Sequence, residues 1–218
     1  MSDTKKIAVI LSGCGVFDGA EIHESVLTML AIAKQGAEYT LFAPDINQHH
    51  VVNHITGDEM NEERNVMIEA ARIARGAIKP LSEFNVTDFD ALMMPGGFGA
   101  AKNLSSFAFE GADSSVESET MRAIKETHSA KKPIGALCIA PAVIAKALGN
   151  IEVTIGQDKG TADAIEKMGA THKQTNHGEV VIDQTNKIAT TPCYMLDANI
   201  LQIAEGAENV VKATIEMI

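Results

Sequence analysis

The chain has 218 residues, a formal net charge of −11, 45% hydrophobic and 22% charged residues, no Trp, and aromatics at 4%. That length can bury a sizeable core. The acidic surplus argues against nucleic-acid backbones and anionic membrane surfaces as partners, and the scarcity of aromatics removes stacking platforms for single-stranded nucleic acid. Three widely spaced cysteines, at 14, 138 and 193, suggest neither a disulfide framework nor a thiolate zinc site. The N-terminus runs straight into a strand, and no apolar run is long enough to span a bilayer, so we expect a cytoplasmic protein with a single domain over residues 1–218.

In chain order, Lys6 to Ser12 is a continuous apolar run, as in a strand buried on both faces, and Ser12–Gly15 is its turn. Asp18 or Gly19 is expected to cap a helix from Ala20 to Gln35, with Ile22, Val26, Met29, Leu30 and Ala33 as its core face and Gly36 as its stop. Tyr39–Phe42 reads as a strand, Val51–Ile55 as a short strand of a hairpin turning at Gly57-Asp58, and Glu62–Arg75 as helical or partly loop. Phe89–Met94 is a third central strand running into Pro95-Gly-Gly-Phe-Gly99, and Ser114–Ala130 is a charged outer helix. Pro133–Leu137 is a strand, Cys138 a turn, and a helix starts near Ala140-Pro141, where a proline costs no hydrogen bond. Val153–Ile155 reads as a strand and Thr161 begins a helix. Val180–Ile182 and Lys187–Thr191 are strands about a turn at 183–186, and Asp197 to Met217 is the closing helix. Alternating strands and helices imply an α/β sandwich with a mostly parallel sheet, whose chemistry collects at the C-terminal strand ends. Long loops near 45–62 and 98–115 are expected around that edge.

Cys138 lies between a strand end and a helix N-terminus, the layout of a nucleophile elbow, where unpaired N–H groups favour a thiolate. The other reading is a small, buried and inert thiol. The glycines of Pro95–Gly99 allow backbone N–H groups to approach a ligand, so Gly96 and Gly97, with the Ile139 N–H, are candidates for oxyanion or substrate binding. A plain turn or a phosphate loop is the alternative, although no dinucleotide or P-loop spacing is present. Glu24, flanked by the expected core face of the first helix, is a candidate for a desolvated, protonated carboxyl that could hydrogen-bond a thiolate and move protons. His23 could assist, but it points about 100° away around the helix. The His177-Gly-Glu179 triplet reads as a chance match to a His-x-Glu dyad, the histidines at 49, 50 and 54 as surface residues, and Cys14 as a packing residue that could lie near Cys138. Cys193 has no assigned role.

The stretches Leu11–Glu24, Glu69–Gly76, Met94–Leu104, Cys138–Pro141 and Ile188–Pro192 together resemble the ThiJ/PfpI branch of the class I glutamine amidotransferase-like superfamily, and within it the glyoxalase-like group linked to isoprenoid biosynthesis. The resemblance covers nearly the whole chain. It implies a flavodoxin-like three-layer sandwich, Cys138 as nucleophile, Glu24 as its carboxyl partner and a homodimer. It also implies a weak glyoxalase-like lyase of the hydro-lyase type that turns glyoxal or methylglyoxal into glycolate or lactate without glutathione, metal or other cofactor. Ile139 stands where peptidase-like members carry a histidine, which argues against proteolysis. A cysteine-based redox or stress sensor, or a deglycase using the same pair, is the alternative reading.

Overall fold

The computed structural model describes residues 4–218. In chain order its elements are β1 (Lys6–Ile10), α1 (Ile22–Lys34), β2 (Glu38–Ala43), α2 (Val66–Ile73), β3 (Ile78–Pro80), β4 (Ala91–Met94), α3 (Phe98–Lys102), α4 (Phe107–Glu110) and α5 (Ser118–Ser129). There follow β5 (Ile134–Leu137), α6 (Ala140–Leu148), β6 (Glu152–Val153), α7 (Lys159–Lys167), β7 (Thr171–His172), β8 (Val181–Asp183), β9 (Ile188–Thr191) and α8 (Ile200–Glu216). Among the described residues the main sheet has seven strands in the order β3-β2-β1-β4-β5-β9-β8. All pair in parallel except β8, which runs antiparallel to β9.

The central strands are buried on both faces, and their alternating side chains divide the core in two. Ala8, Ile10, Leu92, Met94, Ile134 and Ala136 join one apolar cluster, and Ile7, Val9, Ala91, Met93 and Leu137 join the other. The chain leaves β1 toward β2 and β3 on one side, then returns to lay β4, β5 and β9 on the other. The strand order therefore reverses between β1 and β4, where a crevice opens at the C-terminal strand ends.

Here the loops after β1 and β4 meet backbone to backbone. The N–H groups of Glu21, Phe98 and Gly99 donate to the carbonyls of Gly96 (3.0 Å), Val16 (2.8 Å) and Gly19 (2.8 Å). Asn103 ties the junction together. Its side-chain amide donates to the Ser12 and Asp18 carbonyls at 2.9 and 2.8 Å, and its Oδ1 accepts the His49 N–H at 2.9 Å.

Several local expectations need correction. The face assigned to the core of α1 is the wrong one. Ile22, Val26 and Leu30 are 42, 45 and 49% exposed, while Glu24, Ser25, Thr28, Ala31 and Ile32 are buried. Helix α1 packs on α8. The cap of α1 is Glu21, which accepts the Glu24 N–H at 2.7 Å. Asp18 instead accepts the Val52 N–H at 2.7 Å and holds the neighbouring loop.

The expected strand 51–55 is only an isolated bridge between Val52 and Glu59. The 153–155 strand lies outside the main sheet, since β6 pairs with β7 in a separate two-stranded sheet. β3 was not foreseen, because three residues ending in proline carry too little period to read. The loop expected over 98–115 contains α3 and α4.

A Cβ on Gly99 would lie 2.5 Å from the Ser12 carbonyl oxygen and from the Gly19 carbonyl carbon. Backbone cannot yield as a flexible side chain can, so Gly99→Ala should lower unfolding stability by about 1–3 kcal/mol, as overpacking does. Urea denaturation of the two proteins checks this.

Candidate functional site

Cys138 follows the last residue of β5 and precedes α6. Its φ of +59° puts a non-glycine residue in the left-handed region, the strained turn of a nucleophile elbow. The turn is held by the Cys138 N–H, which donates to the Thr191 carbonyl at 2.9 Å. The sulfur accepts hydrogen bonds from the backbone N–H groups of Gly97 and Ile139, and the thiol is hydrogen-bonded to Glu24. The residue is 7% exposed.

Glu24 is fully buried, and three partners from different strand ends fix its carboxyl. Oε2 accepts the Gly96 N–H at 2.9 Å, Oε1 accepts the Tyr194 N–H at 3.3 Å, and Cys138 completes the set. Burial first, and then the charge of Glu21, push its pKa from 4.5 up to about 8, so the carboxyl is protonated at neutral pH. Burial also pushes the Cys138 thiol well up, as would the charge on Glu24. The N–H groups of Gly97 and Ile139 pull it down. With Glu24 protonated, its charge no longer opposes the thiolate and its O–H can donate to the sulfur.

The two glycines of the loop after β4 have separate tasks. Gly97, at φ +95°, directs its N–H at the sulfur. The Gly96 N–H, expected to face an oxyanion, is committed to Glu24 instead. A Cβ on Gly96 would lie 2.5 Å from the Cys138 Cβ and 2.8 Å from Glu24 Oε2, so the pair excludes a side chain there.

The site opens into a cavity of about 420 Å³ lined by Cys138, Gly97, Ile139, apolar side chains, Tyr194, Asp158 and Thr161. Sequence reasoning did not find Tyr194. Its hydroxyl meets His23 Nδ1 at 2.8 Å while its N–H binds Glu24. Burial, then Glu21 and Glu24, push the hydroxyl pKa up, which keeps it a proton donor. The signal that could have found it is its place just past the end of β9, in the ring of strand ends.

The remaining candidates fall elsewhere. Cys193 is buried just beyond β9, its thiol pushed up by burial and the Glu24 and Cys138 charges. Cys14 is half-buried beside Glu69, Arg72 and Asp18. Glu179 accepts the Asn176 N–H at 2.6 Å and forms no dyad with His177. His54 serves the loop after β1, accepting the Phe17 N–H at 3.2 Å.

The sequence profile of the DJ-1/PfpI family matches residues 5–197. Among curated proteins, the chain is 44% identical to the ES1 protein homolog, mitochondrial, of Rattus norvegicus, with 97% of this chain and 84% of the relative covered. It is equally identical to the Homo sapiens glutamine amidotransferase-like class 1 domain-containing protein 3, mitochondrial, over 97% and 83%. Among solved structures, an isoprenoid biosynthesis protein with amidotransferase-like domain from Ehrlichia chaffeensis superposes with a TM-score of 0.92. It is 36% identical, over 98% of this chain and 99% of that one. This agrees with the resemblance that the sequence motifs carry. Glyoxalase III from Candida albicans shares the fold at a TM-score of 0.64 and 15% identity, with 98% and 97% covered. Among the described residues no helix is long and apolar enough to cross a membrane.

Glu24 binds its proton more tightly in the folded chain than in the unfolded one. Its contribution to stability is therefore complete below its ordinary pKa of 4.5 and is lost as pH rises toward about 8. The loss could reach about 5 kcal/mol. Glu24→Gln, an uncharged isostere, should have the flatter profile. The melting temperature of wild type minus that of Glu24→Gln should fall from pH 5 to pH 9, and scanning calorimetry across that range checks it.

Proposed function

The chain belongs to the DJ-1/PfpI family, and from that premise we propose that it is a glutathione-independent glyoxalase-like enzyme acting on α-oxoaldehydes. One observation carries this reading. A buried, protonated Glu24 carboxyl is hydrogen-bonded to Cys138, whose sulfur also receives the N–H groups of Gly97 and Ile139. The name of the Candida albicans neighbour, glyoxalase III, agrees with it.

In the reacting state the pair carries one proton, on Glu24, and Cys138 is a thiolate. The sulfur adds to the aldehyde carbon, and Glu24 donates its proton to the forming alkoxide, giving a hemithioacetal. The Glu24 carboxylate then takes the hydrogen from that carbon as a proton, and an enediol forms. Returning the proton to the neighbouring carbon, while the first hydroxyl proton passes to the second oxygen, gives a 2-hydroxy thioester. Tyr194 lines the cavity and its hydroxyl meets His23, which supports a role in hydrogen-bonding the second oxygen during this transfer. Water breaks the C–S bond, releasing the 2-hydroxy acid, the thiolate and the one proton that reprotonates Glu24. The aldehyde carbon is oxidised as its neighbour is reduced, so no external oxidant or reductant is needed.

A redox sensor needs an accessible thiolate of low pKa. The 7% exposure of Cys138 and the upward push of burial weigh against that alternative. The chemistry needs a reduced cysteine, so the proposed compartment is a reducing one. The cytoplasm meets this, as does the mitochondrial location in the relatives' names.

Hydroxy-acid formation from methylglyoxal without glutathione tests the proposal. Cys138→Ala and Glu24→Gln should abolish it. Tyr194→Phe should lower kcat/KM by about 10–100-fold, in the range of a positioned acid–base group. Wild-type activity should fall as pH rises past about 8, where Glu24 ionises. Turnover that survives Cys138→Ala would refute the reading.

The homodimer is proposed to form through the exposed apolar stripe of α1, where Ile22, Val26 and Leu30 follow one another at four-residue spacing. A second copy apposing the same stripe would bury it isologously. Val26→Glu should convert the dimer to a monomer in sedimentation velocity, and a monomeric wild type would refute it.

A further inference from the structure

The cavity beside Cys138 is larger and more apolar than glyoxal or methylglyoxal needs. At about 420 Å³ it falls within the size range of pockets for drug-sized ligands, roughly 300–1,000 Å³. Away from the sulfur its wall is built by Val16, Phe98, Ala101, Phe107, Ala108 and Met195. These come from three separate segments: the loop after β1, the α3–α4 region and the turn after β9. Methylglyoxal, with its single methyl group, would leave most of this wall in contact with water.

The charge pattern is equally informative. Among the described residues no Lys or Arg lines the cavity, and the one ionisable carboxylate lining it besides the buried pair is Asp158, which caps α7. Two lysines flank the lining residues, and both are engaged: Lys159, next to Asp158, pairs with Asp163 at 2.9 Å, and Lys102 is held beside Phe98. Its ammonium donates to the Phe17 carbonyl at 2.9 Å and lies over the Phe98 ring, 5.3 Å from the centroid. A phosphorylated, diphosphorylated or carboxylated ligand would find no countercharge. A neutral apolar group would cover Phe98 and Phe107 and displace water from both.

We infer that the preferred substrates of this site are uncharged α-oxoaldehydes carrying an apolar or aromatic group, which binds against Phe98, Phe107 and Met195 while the aldehyde carbon meets Cys138. This rests on the glyoxalase-like reading and specifies its substrate class. The reacting atoms and their balance are those given above, since the apolar group takes no part in bond changes.

The test compares kcat/KM for phenylglyoxal and methylglyoxal. One well-packed methylene is worth roughly 10–200-fold. Phenylglyoxal should therefore be favoured by about 10-fold or more, and Phe107→Ser should bring the ratio down toward one. Ala108→Lys, at an exposed position of the wall, adds a cation without disturbing the core and should lower the ratio as well. Equal or higher kcat/KM for methylglyoxal, with the ratio unmoved by both variants, overturns the inference and leaves the glyoxalase reading standing. If neither aldehyde gives a hydroxy acid, the glyoxalase reading falls by itself. The pocket is then judged by alkylation of Cys138 with N-phenyl iodoacetamide, iodoacetamide and iodoacetate, each normalised to its rate with a free thiol. The order phenyl, amide, carboxylate supports the apolar site, and equal normalised rates overturn it.

Discussion

The carboxyl of Glu24 is fully buried, and the site depends on how that burial is resolved. An unpaired carboxylate in such a place would be prohibitive, so the group keeps its proton and spends its hydrogen-bonding capacity on Gly96, Tyr194 and Cys138. These partners stand at the ends of β4, β9 and β5. One neutral carboxyl thus pins three strand ends together and sets the distance between the thiol and the glycine loop. Removing it would take away a structural tie and, on the proposed reading, the proton carrier.

The cysteine is governed by opposed forces. An elbow before a helix supplies N–H groups that favour a thiolate, while burial in an apolar cavity penalises it. Ile139 follows Cys138 and offers the sulfur its backbone N–H, and among the described residues no imidazole lines the cavity. On the proposed reading, activation comes through the carboxyl. The same apolar surroundings that make the thiolate costly also make a protonated Glu24 the stable form, so the two groups are matched by one property of the pocket.

The topology explains why these residues meet. Reversal of strand order between β1 and β4 opens a crevice, and the loops on its two sides close over each other through backbone hydrogen bonds that leave no room for side chains at Gly19, Gly97 or Gly99. The long glycine-bearing motifs of the chain are largely this junction. The glycines at 96 and 97 belong to the chemistry, and those at 19 and 99 to the contact that holds the chemistry in place.

Much of this was legible in the residues. Continuous apolar runs at 6–10, 91–94 and 134–137 declared doubly buried strands, and the strand-Cys-Pro order at 134–141 declared the elbow, because both are short-range patterns. Glu24 was found for a reason that did not hold. The helix carries an apolar stripe, but the stripe faces outward, and the carboxyl is buried on another face, among the strand ends. Periodicity reports that a helix has two faces and is silent on which one a neighbour will cover. Tyr194, the commitment of Gly96 to Glu24, and the short elements β3, α3 and α4 were likewise beyond it. Each depends on atoms brought together from distant parts of the chain. The sequence by itself determined the strand order of chemistry-bearing turns and the residue types available to them. Only the tertiary structure decided which groups lose their water, and desolvation is what turns an ordinary glutamate and an ordinary cysteine into a coupled pair.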